Sequence, residues 1–232
     1  MTTPYEETKI RLLEAALVHV AFDGWSEATF QAAIADADVE SGMARAVCPR
    51  GALDLAVAYH HAGDAKMVAR LKSQDMSTLK FSEKVATAVR FRIEAVTDKE
   101  AVRRGTTLFA LPTHAADGAK LVWGTADHIW NTLGDTSQDV NWYTKRATLA
   151  GVYSATVLYW LGDDSIDNAA TWDFLDRRIE DVMQIEKLKA GIRNSPTLSK
   201  LLAGPNWVLG QIKAPAMASN TDLPGSWTSP RV

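Results

Sequence analysis

Apolar residues recur at helical spacing along nearly the whole chain. Thr3-Pro4-Tyr5-Glu6 reads as a helix start: Thr3 can cap, Pro4 suits the first helical position, and Glu6 completes a capping box. Ile10, Leu13, Leu17 and Val20 then fall on one face until Gly24 stops the helix. Ser26 can cap a second helix with Phe30, Ala33, Ile34 and Ala37 inward. A short helix follows from Ser41 to Val47, and Pro49-Arg50-Gly51 breaks the chain before a longer helix from Ala52 to about Leu71. Further helices are predicted at about 82–97, 99–111, 113–133, 139–161 and 168–190, punctuated by Pro112, Gly134 and Gly162. No segment alternates Val, Ile or Thr around Asn-Gly turns, so the expected class is all-α.

The apolar positions of these later helices suggest a pocket. Phe81, Val85, Val89, Ile93 and Phe109 come from the earlier ones. Leu149, Val152, Tyr153, Thr156 and Trp160 come from the helix opening at Asp139, and Trp172, Leu175 and Ile179 from the next. Together they can wall an apolar space between helices, although most must also serve as core. Past residue 184 the character changes. Lys187, Lys189, Arg193, Lys200 and Lys213 face a single acid, Glu186, and alternate with large apolar residues. Leu198, Lys200, Leu201, Leu202, Trp207, Leu209 and Lys213 form a basic, tryptophan-bearing, amphipathic stretch of the kind that lies at a membrane interface. Packing on the protein's own body is the competing reading. From Ala214 onward, Pro215, Pro224 and Pro230 with little periodicity predict a mobile tail.

At 232 residues the chain can bury a sizeable core without a disulfide, and its one cysteine, Cys48, suits a reducing compartment. No apolar run approaches the roughly 18 to 20 residues that span a bilayer. The start MTTPYEETKIR lacks the cationic end and apolar centre of a signal peptide. The expectation is a cytoplasmic protein, peripheral to the inner face of the membrane. Four segments are expected: a helix-turn-helix-like domain over 1–62, a helical ligand-binding and dimerisation domain over 63–190, the amphipathic segment 191–213 and the tail 214–232.

Residues 9–58 resemble the helix-turn-helix domain of TetR-type repressors, through LLEAALVHVAFDGW, ATFQAAIADADV and PRGALDLAVA. The reader helix lacks the chemistry. Val39 to Val47 offers one arginine and one glutamate where a DNA reader needs donors for phosphates and base edges. Over residues 1–62, four basic side chains (Lys9, Arg11, Arg45, Arg50) stand against nine acidic ones (Glu6, Glu7, Glu14, Asp23, Glu27, Asp36, Asp38, Glu40, Asp54). Such a face repels a phosphate backbone, so no nucleic-acid partner is expected. A ligand-responsive repressor of TetR type remains the alternative reading.

The stretch from Asp127 to Arg146, DHIWNTLGDTSQDVNWYTKR, crowds two tryptophans, a tyrosine and fixed charges around a turn. Large aromatics beside charges are what a recognition surface uses. GDTSQDVNWYTKRATLAGVYSATVLYWLGDDS, followed by TWDFLDRRIEDVMQ, resembles the ubiquinone-biosynthesis lipid-binding family usually called Coq nine. The likeness runs from about Leu121 to Glu186. It implies a TetR-like fold, a non-enzymatic role, an isoprenoid quinone precursor as ligand and the demethoxyubiquinone hydroxylase as partner. It also implies a surface patch on Asp127, Ile129, Trp130, Asp139, Trp142, Tyr143 and Arg146.

The residues agree with a protein that is not an enzyme and needs no cofactor. A di-iron carboxylate bundle uses Glu-x-x-His motifs, yet the residues three before His19, His60, His61, His114 and His128 are Ala16, Val57, Ala58, Leu111 and Thr125. The adjacent His60 and His61 point to different helix faces and make a poor chelate. Cys48 reads as a small packed residue. No nucleophile elbow or dinucleotide loop is present. A homodimer through the helices near 139–161 and 168–190 is expected.

Overall fold

The computed structural model describes residues 3–193 and Ala214, with side chains through Gln184. The described residues are helical, without a strand. They form α1 (Pro4–Asp23), α2 (Glu27–Asp36), α3 (Ser41–Val47), α4 (Ala52–Ser73), α5 (Phe81–Glu94), α6 (Lys99–Ala110), α7 (Ala115–Thr132), α8 (Val140–Leu161) and α9 (Ala169–Arg193), with a 3-10 turn at Ile166–Asn168 before α9. The fold class read from the sequence is the one observed.

Local chemistry sets the helix ends. Thr3 and Glu6 form the expected capping box, Ser26 caps α2 through the Thr29 N–H, and Asp139 caps α8 through the Asn141 N–H. Gly24 ends α1 with φ +65°, a left-handed backbone that only glycine adopts without penalty. At the α8–α9 turn the Asp163 carboxylate accepts from the N–H groups of Ser165 (2.8 Å) and Thr171 (2.9 Å) and from the Thr171 hydroxyl (2.5 Å). Those bonds hold its carboxyl well below the usual range and satisfy orphan donors at the start of α9.

Two apolar cores result. The first gathers Leu12, Ala16, Val20, Trp25, Phe30, Ala33, Ala44, Val47 and Cys48 from the first three helices and their loops with Leu55 and Ala56 of α4 and Ala101 of α6. The second packs Met67 and Leu71 of α4 against Val85, Val89 and Ile93 of α5, Ile129 and Trp130 of α7, α8 and Leu175 and Ile179 of α9. The inward stripe of α1 shares Val20 with the one read from the sequence and otherwise lies one position earlier. Leu12, Ala16 and Val20 are fully buried, Leu13 and Leu17 only flank them, and Ile10 is 48% exposed. The small Ala16 lets neighbouring helices approach, and a pattern weighted toward large side chains overlooks it. The 62/63 boundary falls inside α4, which runs unbroken from one core to the other.

Helix α6 ties the two cores together at their shared end. Arg104 Nη2 donates to the Ala21 carbonyl (2.8 Å), Arg103 Nη2 to the Leu161 carbonyl (2.6 Å) and Lys99 Nζ to the Asp163 carbonyl (2.8 Å). These cations satisfy carbonyls at the C-terminal ends of α1 and α8, where the helix dipole also favours positive charge. Trp25 Nε1 donates to the Ala101 carbonyl (3.0 Å) and completes the junction.

Candidate functional site

The α7–α8 hairpin is organised around Arg146, whose side chain has no exposed surface. Its Nε donates to Asp127 Oδ1 (2.6 Å), Nη1 to Asp135 Oδ2 (3.0 Å) and to the Trp142 carbonyl (3.2 Å), and Nη2 to Asn131 Oδ1 (3.0 Å). Lys145 Nζ lies 2.8 Å from Asp135 Oδ1 and 2.7 Å from Ser137 Oγ. Burial pushes the Asp135 carboxyl up, but hydrogen bonds from Lys145, Ser137 and Arg146 outweigh it and hold the group down at about 2. Two cations on two carboxylates leave the cluster neutral. Gly134, at φ +81°, turns the chain so that Asp135 can face back toward α8.

Above this cluster sit three aromatic rings. Trp142 meets Tyr143 edge-on at 4.8 Å and Trp123 at 6.0 Å, and the Arg146 guanidinium stacks beneath Trp142 at 3.9 Å. All three rings are half-buried, so each keeps a face toward solvent.

The hairpin brings the seven patch residues together but does not put all of them on the surface. Asp139 is exposed and Asp127, Trp142 and Tyr143 are partly so. Ile129, Trp130 and Arg146 are buried, which corrects the expectation of a surface patch made of all seven. Ile129 points into the second core. Trp130 lies under α8, with Nε1 donating to the Lys145 carbonyl (3.1 Å) and its ring on Phe81 at 5.6 Å. Arg146 is drawn inward because its five donors meet Asp127, Asn131, Asp135 and a backbone carbonyl there.

Among the described residues, two apolar cavities and a more open outer groove, lined by Gly118, Trp123, Gly151 and Ser154, flank the bundle. The smaller, about 220 Å³, opens beside the hairpin and is walled by Phe81, Val85, Trp130, Leu149, Val152, Ile179, Val182 and Met183, with Asn141, Thr144, Lys145 and Thr148 at its rim. The larger, about 330 Å³, lies between the two cores and is lined by Trp25, Tyr59, His60, Val102, Phe109, Leu121, Val122, Tyr153, Val157 and Leu158. It exists because α6 and α7 face each other with small residues, Ala101, Gly105, Gly118 and Ala119. A Cβ at Gly118 would meet Phe109 Cβ at 2.8 Å.

The predicted pocket residues therefore divide. Phe81, Val85, Leu149, Val152 and Ile179 line the smaller cavity, and Phe109 and Tyr153 the larger. Val89, Ile93, Thr156, Trp160, Trp172 and Leu175 line neither. The first four and Leu175 are buried core, and Trp172 is half-buried under the Arg90 guanidinium at 4.7 Å. Trp25, Tyr59 and His60 were missed as cavity residues, because the only signal for them is the glycine and alanine spacing of the facing helices.

Other sequence expectations fall elsewhere. Cys48 is fully buried at the end of α3, and burial pushes its thiol up to about 11, against a smaller opposing pull from Lys9, so it is a packed residue. Leu198, Lys200, Leu201, Leu202, Trp207, Leu209 and Lys213, and the tail beyond Ala214, lie outside the described residues. Ala214 itself is held, donating its N–H to the Gln138 carbonyl (3.0 Å), although it was placed at the start of a mobile tail. Among the described residues, no helix is long and apolar enough to cross a membrane.

The architecture is that of the TetR-like all-α proteins. A TetR transcriptional regulator from Nitrosomonas europaea superposes with a TM-score of 0.62 at 17% identity, covering 75% of this chain and 97% of that one, a likeness of fold alone. Residues 115–186, which hold the hairpin and most of both cavity walls contributed by α7 to α9, match COQ9. The chain is similar to the COQ9 family through these residues. It is 34% identical over 191 residues to a protein named ubiquinone biosynthesis protein COQ9, mitochondrial, from Drosophila melanogaster, covering 78% of this chain and 56% of the relative. It is 28% identical to a probable ubiquinone biosynthesis protein coq9, mitochondrial, from Dictyostelium discoideum, covering 82% of this chain and 64% of the relative. The human protein of the same name is 28% identical over 226 residues, 87% of this chain and 69% of the relative. The chain thus spans less than two thirds of the length of the fly and slime-mould relatives.

Proposed function

We propose that this protein acts in ubiquinone biosynthesis as an accessory protein, not an enzyme. It holds a polyprenylated quinone precursor and presents it to the demethoxyubiquinone hydroxylase. The observation that carries this reading is the adjacency of an apolar cavity and an aromatic surface: Trp130 and Lys145 belong both to the wall of the smaller cavity and to the hairpin that displays Trp142 and Tyr143. Each methylene of a prenyl tail moved into such a cavity contributes roughly 0.8 kcal/mol, which offsets most of the cost of leaving a bilayer. Trp142 and Tyr143, with Asp127 and Asp139 beside them, form the partner surface, and Ile129, Trp130 and Arg146 hold it from below.

The protein is a homodimer through α8 and α9, whose outer faces carry Leu158 and the stacked pair Tyr159 and Phe174. It contacts the membrane peripherally through the basic segment around Leu198, Lys200, Trp207 and Lys213. The relatives are named mitochondrial, which supports work at a membrane where ubiquinone is made. The repressor alternative is weakened at α3. The Glu40 carboxylate accepts from the N–H groups of Gly42 and Met43, both at 2.8 Å, and so occupies the helix start that would otherwise meet a phosphate.

Purified protein, extracted with solvent and examined by mass spectrometry, is expected to carry an isoprenoid lipid. In a pull-down, Trp142→Ala is expected to weaken hydroxylase binding by roughly 2 kcal/mol, the scale of an interface hot spot, with a melting temperature near that of the wild type. Absence of any bound or bindable isoprenoid sinks the ligand half of the reading, and undiminished hydroxylase capture by the variant sinks the partner half.

A further inference from the structure

The larger cavity has a polar end whose hydrogen-bond directions can be worked out. Most polar groups on its walls are already occupied. Trp25 Nε1 donates to the Ala101 carbonyl, the Tyr59 hydroxyl lies 3.2 Å from the Asp98 carbonyl and 3.3 Å from the Asp98 N–H, and Thr106 Oγ1 donates to the Val102 carbonyl. Ser154 sits at the rim, shared with an outer groove. His60 and Tyr153 are the remaining polar side chains, and the Tyr153 hydroxyl bonds Thr125.

Behind His60 lies a buried relay. Arg92 Nε donates to Asp64 Oδ1 at 2.6 Å, and both side chains are almost fully buried. A Cβ at residue 63 would sit 2.6 Å from Arg92 Nη1, so Gly63 is what lets the arginine reach its partner. Thr125 Oγ1 is 2.8 Å from Asp64 Oδ1 and also 2.8 Å from His60 Nε2. An ionised carboxylate and the Leu121 carbonyl, 3.2 Å from the same hydroxyl, only accept, so the threonine spends its one proton on that side, with the nearer Asp64 favoured. It must then accept from the imidazole, which places the ring proton on Nε2. The second carboxylate oxygen, Asp64 Oδ2, has no hydrogen bond and lies 3.6 Å from the same nitrogen, so its charge favours a proton there too. Burial first, and the charge of Arg92 second, hold the imidazole down to about 4, so the ring is neutral near pH 7. The ring also bonds the Leu121 backbone, so with the proton on Nε2 it is Nδ1 that keeps a lone pair, on a side chain that lines the cavity.

We propose that His60 Nδ1 accepts a hydrogen bond from a hydroxyl of the bound ligand, so that the larger cavity selects an apolar molecule carrying a free hydroxyl, a phenol or quinol, over the corresponding quinone or aryl ether. This rests on the lipid-binding reading above, extends it from the smaller cavity to the larger one, and adds a chemical preference to it. A quinone offers only acceptors and would face the lone pair of Nδ1 unpaired. An aryl ether also lacks the proton and adds a methyl group where the imidazole should approach. A cavity with one fixed acceptor discriminates against both, because the buried nitrogen is left without a partner.

The test is calorimetric titration of the full chain with a phenol bearing a short prenyl tail and with its O-methyl ether. The phenol is expected to bind about tenfold tighter or better. His60→Leu should bring the ratio close to one, mainly by weakening the phenol, and His60→Gln, which keeps an acceptor, should retain part of the preference. The ¹⁵N resonance of His60 Nδ1 should shift with the phenol and not with the ether, a readout that needs no variant. Equal binding of the two probes by the wild type, or a preference untouched by His60→Leu, overturns the His60 assignment and leaves lipid binding standing. Binding of neither probe removes the lipid-binding reading and this inference with it.

Discussion

Arg92 and Arg146 are both buried, and both pair with aspartate, yet they are wired differently. Arg146 binds two carboxylates, an amide oxygen and a backbone carbonyl, and its neighbour Lys145 completes the neutralisation of Asp135. Its acceptors all lie within the hairpin. Arg92 has one carboxylate oxygen and the His60 carbonyl, and leaves Asp64 Oδ2 unpaired beside an open cavity. A saturated network fixes a shape, whereas an incomplete one keeps capacity for something that is not protein. The first holds up a surface of aromatic rings. The second sets the proton position of a cavity histidine.

The largest expected effect tests the saturated side. Arg146→Ala leaves the partly exposed Asp127 without its cation and the buried Asp135 with Lys145 alone, and loss of one partner from such a network costs about 3–5 kcal/mol. The melting temperature should fall sharply and the hairpin aromatics lose their near-ultraviolet dichroism. A variant that melts like the wild type would mean that the cluster is not what shapes the hairpin.

The next effect tests the incomplete side. His60 is held at about 4, below its ordinary 6.5, so the unfolded chain takes up the proton first as pH falls. Stability is therefore fully present above about 6.5, declines as pH drops toward 4 and levels off below that, a loss on the order of 3 kcal/mol. Urea midpoints of the wild type and His60→Gln, measured from pH 7 to 4.5, should draw together as pH falls. Parallel curves would show that His60 is free to titrate in the folded protein and that the relay does not hold it neutral.

The smallest effect separates the hairpin's cap from its core. Asp139→Ala removes the acceptor for the Asn141 N–H and should cost about 1 kcal/mol, a few degrees at most, with Arg146 and its partners undisturbed. A loss as large as that of Arg146→Ala would make the turn, and not the buried arginine, the organising element.

Much of this was legible in the sequence. Thr3, Ser26 and Asp139 announce helix starts through side-chain chemistry that acts within three residues, and Gly24 and Gly134 announce stops and turns through backbone freedom. Such signals are local and survive into the structure. The inward face of α1 was read one position off because Ile10 and Leu17 outweigh Ala16 in any hydrophobic pattern, while packing rewards the small residue. The burial of Arg146 was not legible, since its acceptors come from residues 127, 131 and 135, one turn and one helix away. The larger cavity is defined by missing volume at Gly105, Gly118 and Ala119, and apolar periodicity does not register an absence. His60 was set aside because it was considered with its neighbour His61, whereas its partners, Thr125 and Asp64, lie across the helix interface.

Helix α4 carries Leu55 and Ala56 in one core and Met67 and Leu71 in the other, without a break at the boundary between them. A rigid rod embedded at both ends makes the two halves melt as one cooperative unit. Shedding the first fifty residues would strip apolar cover from α4 and α6 and open the wall of the larger cavity at Trp25. The acidic surface of the first three helices can vary without touching these contacts, but the helices themselves cannot be lost without cost to the cavity. The front end is a structural support for the cavity behind it.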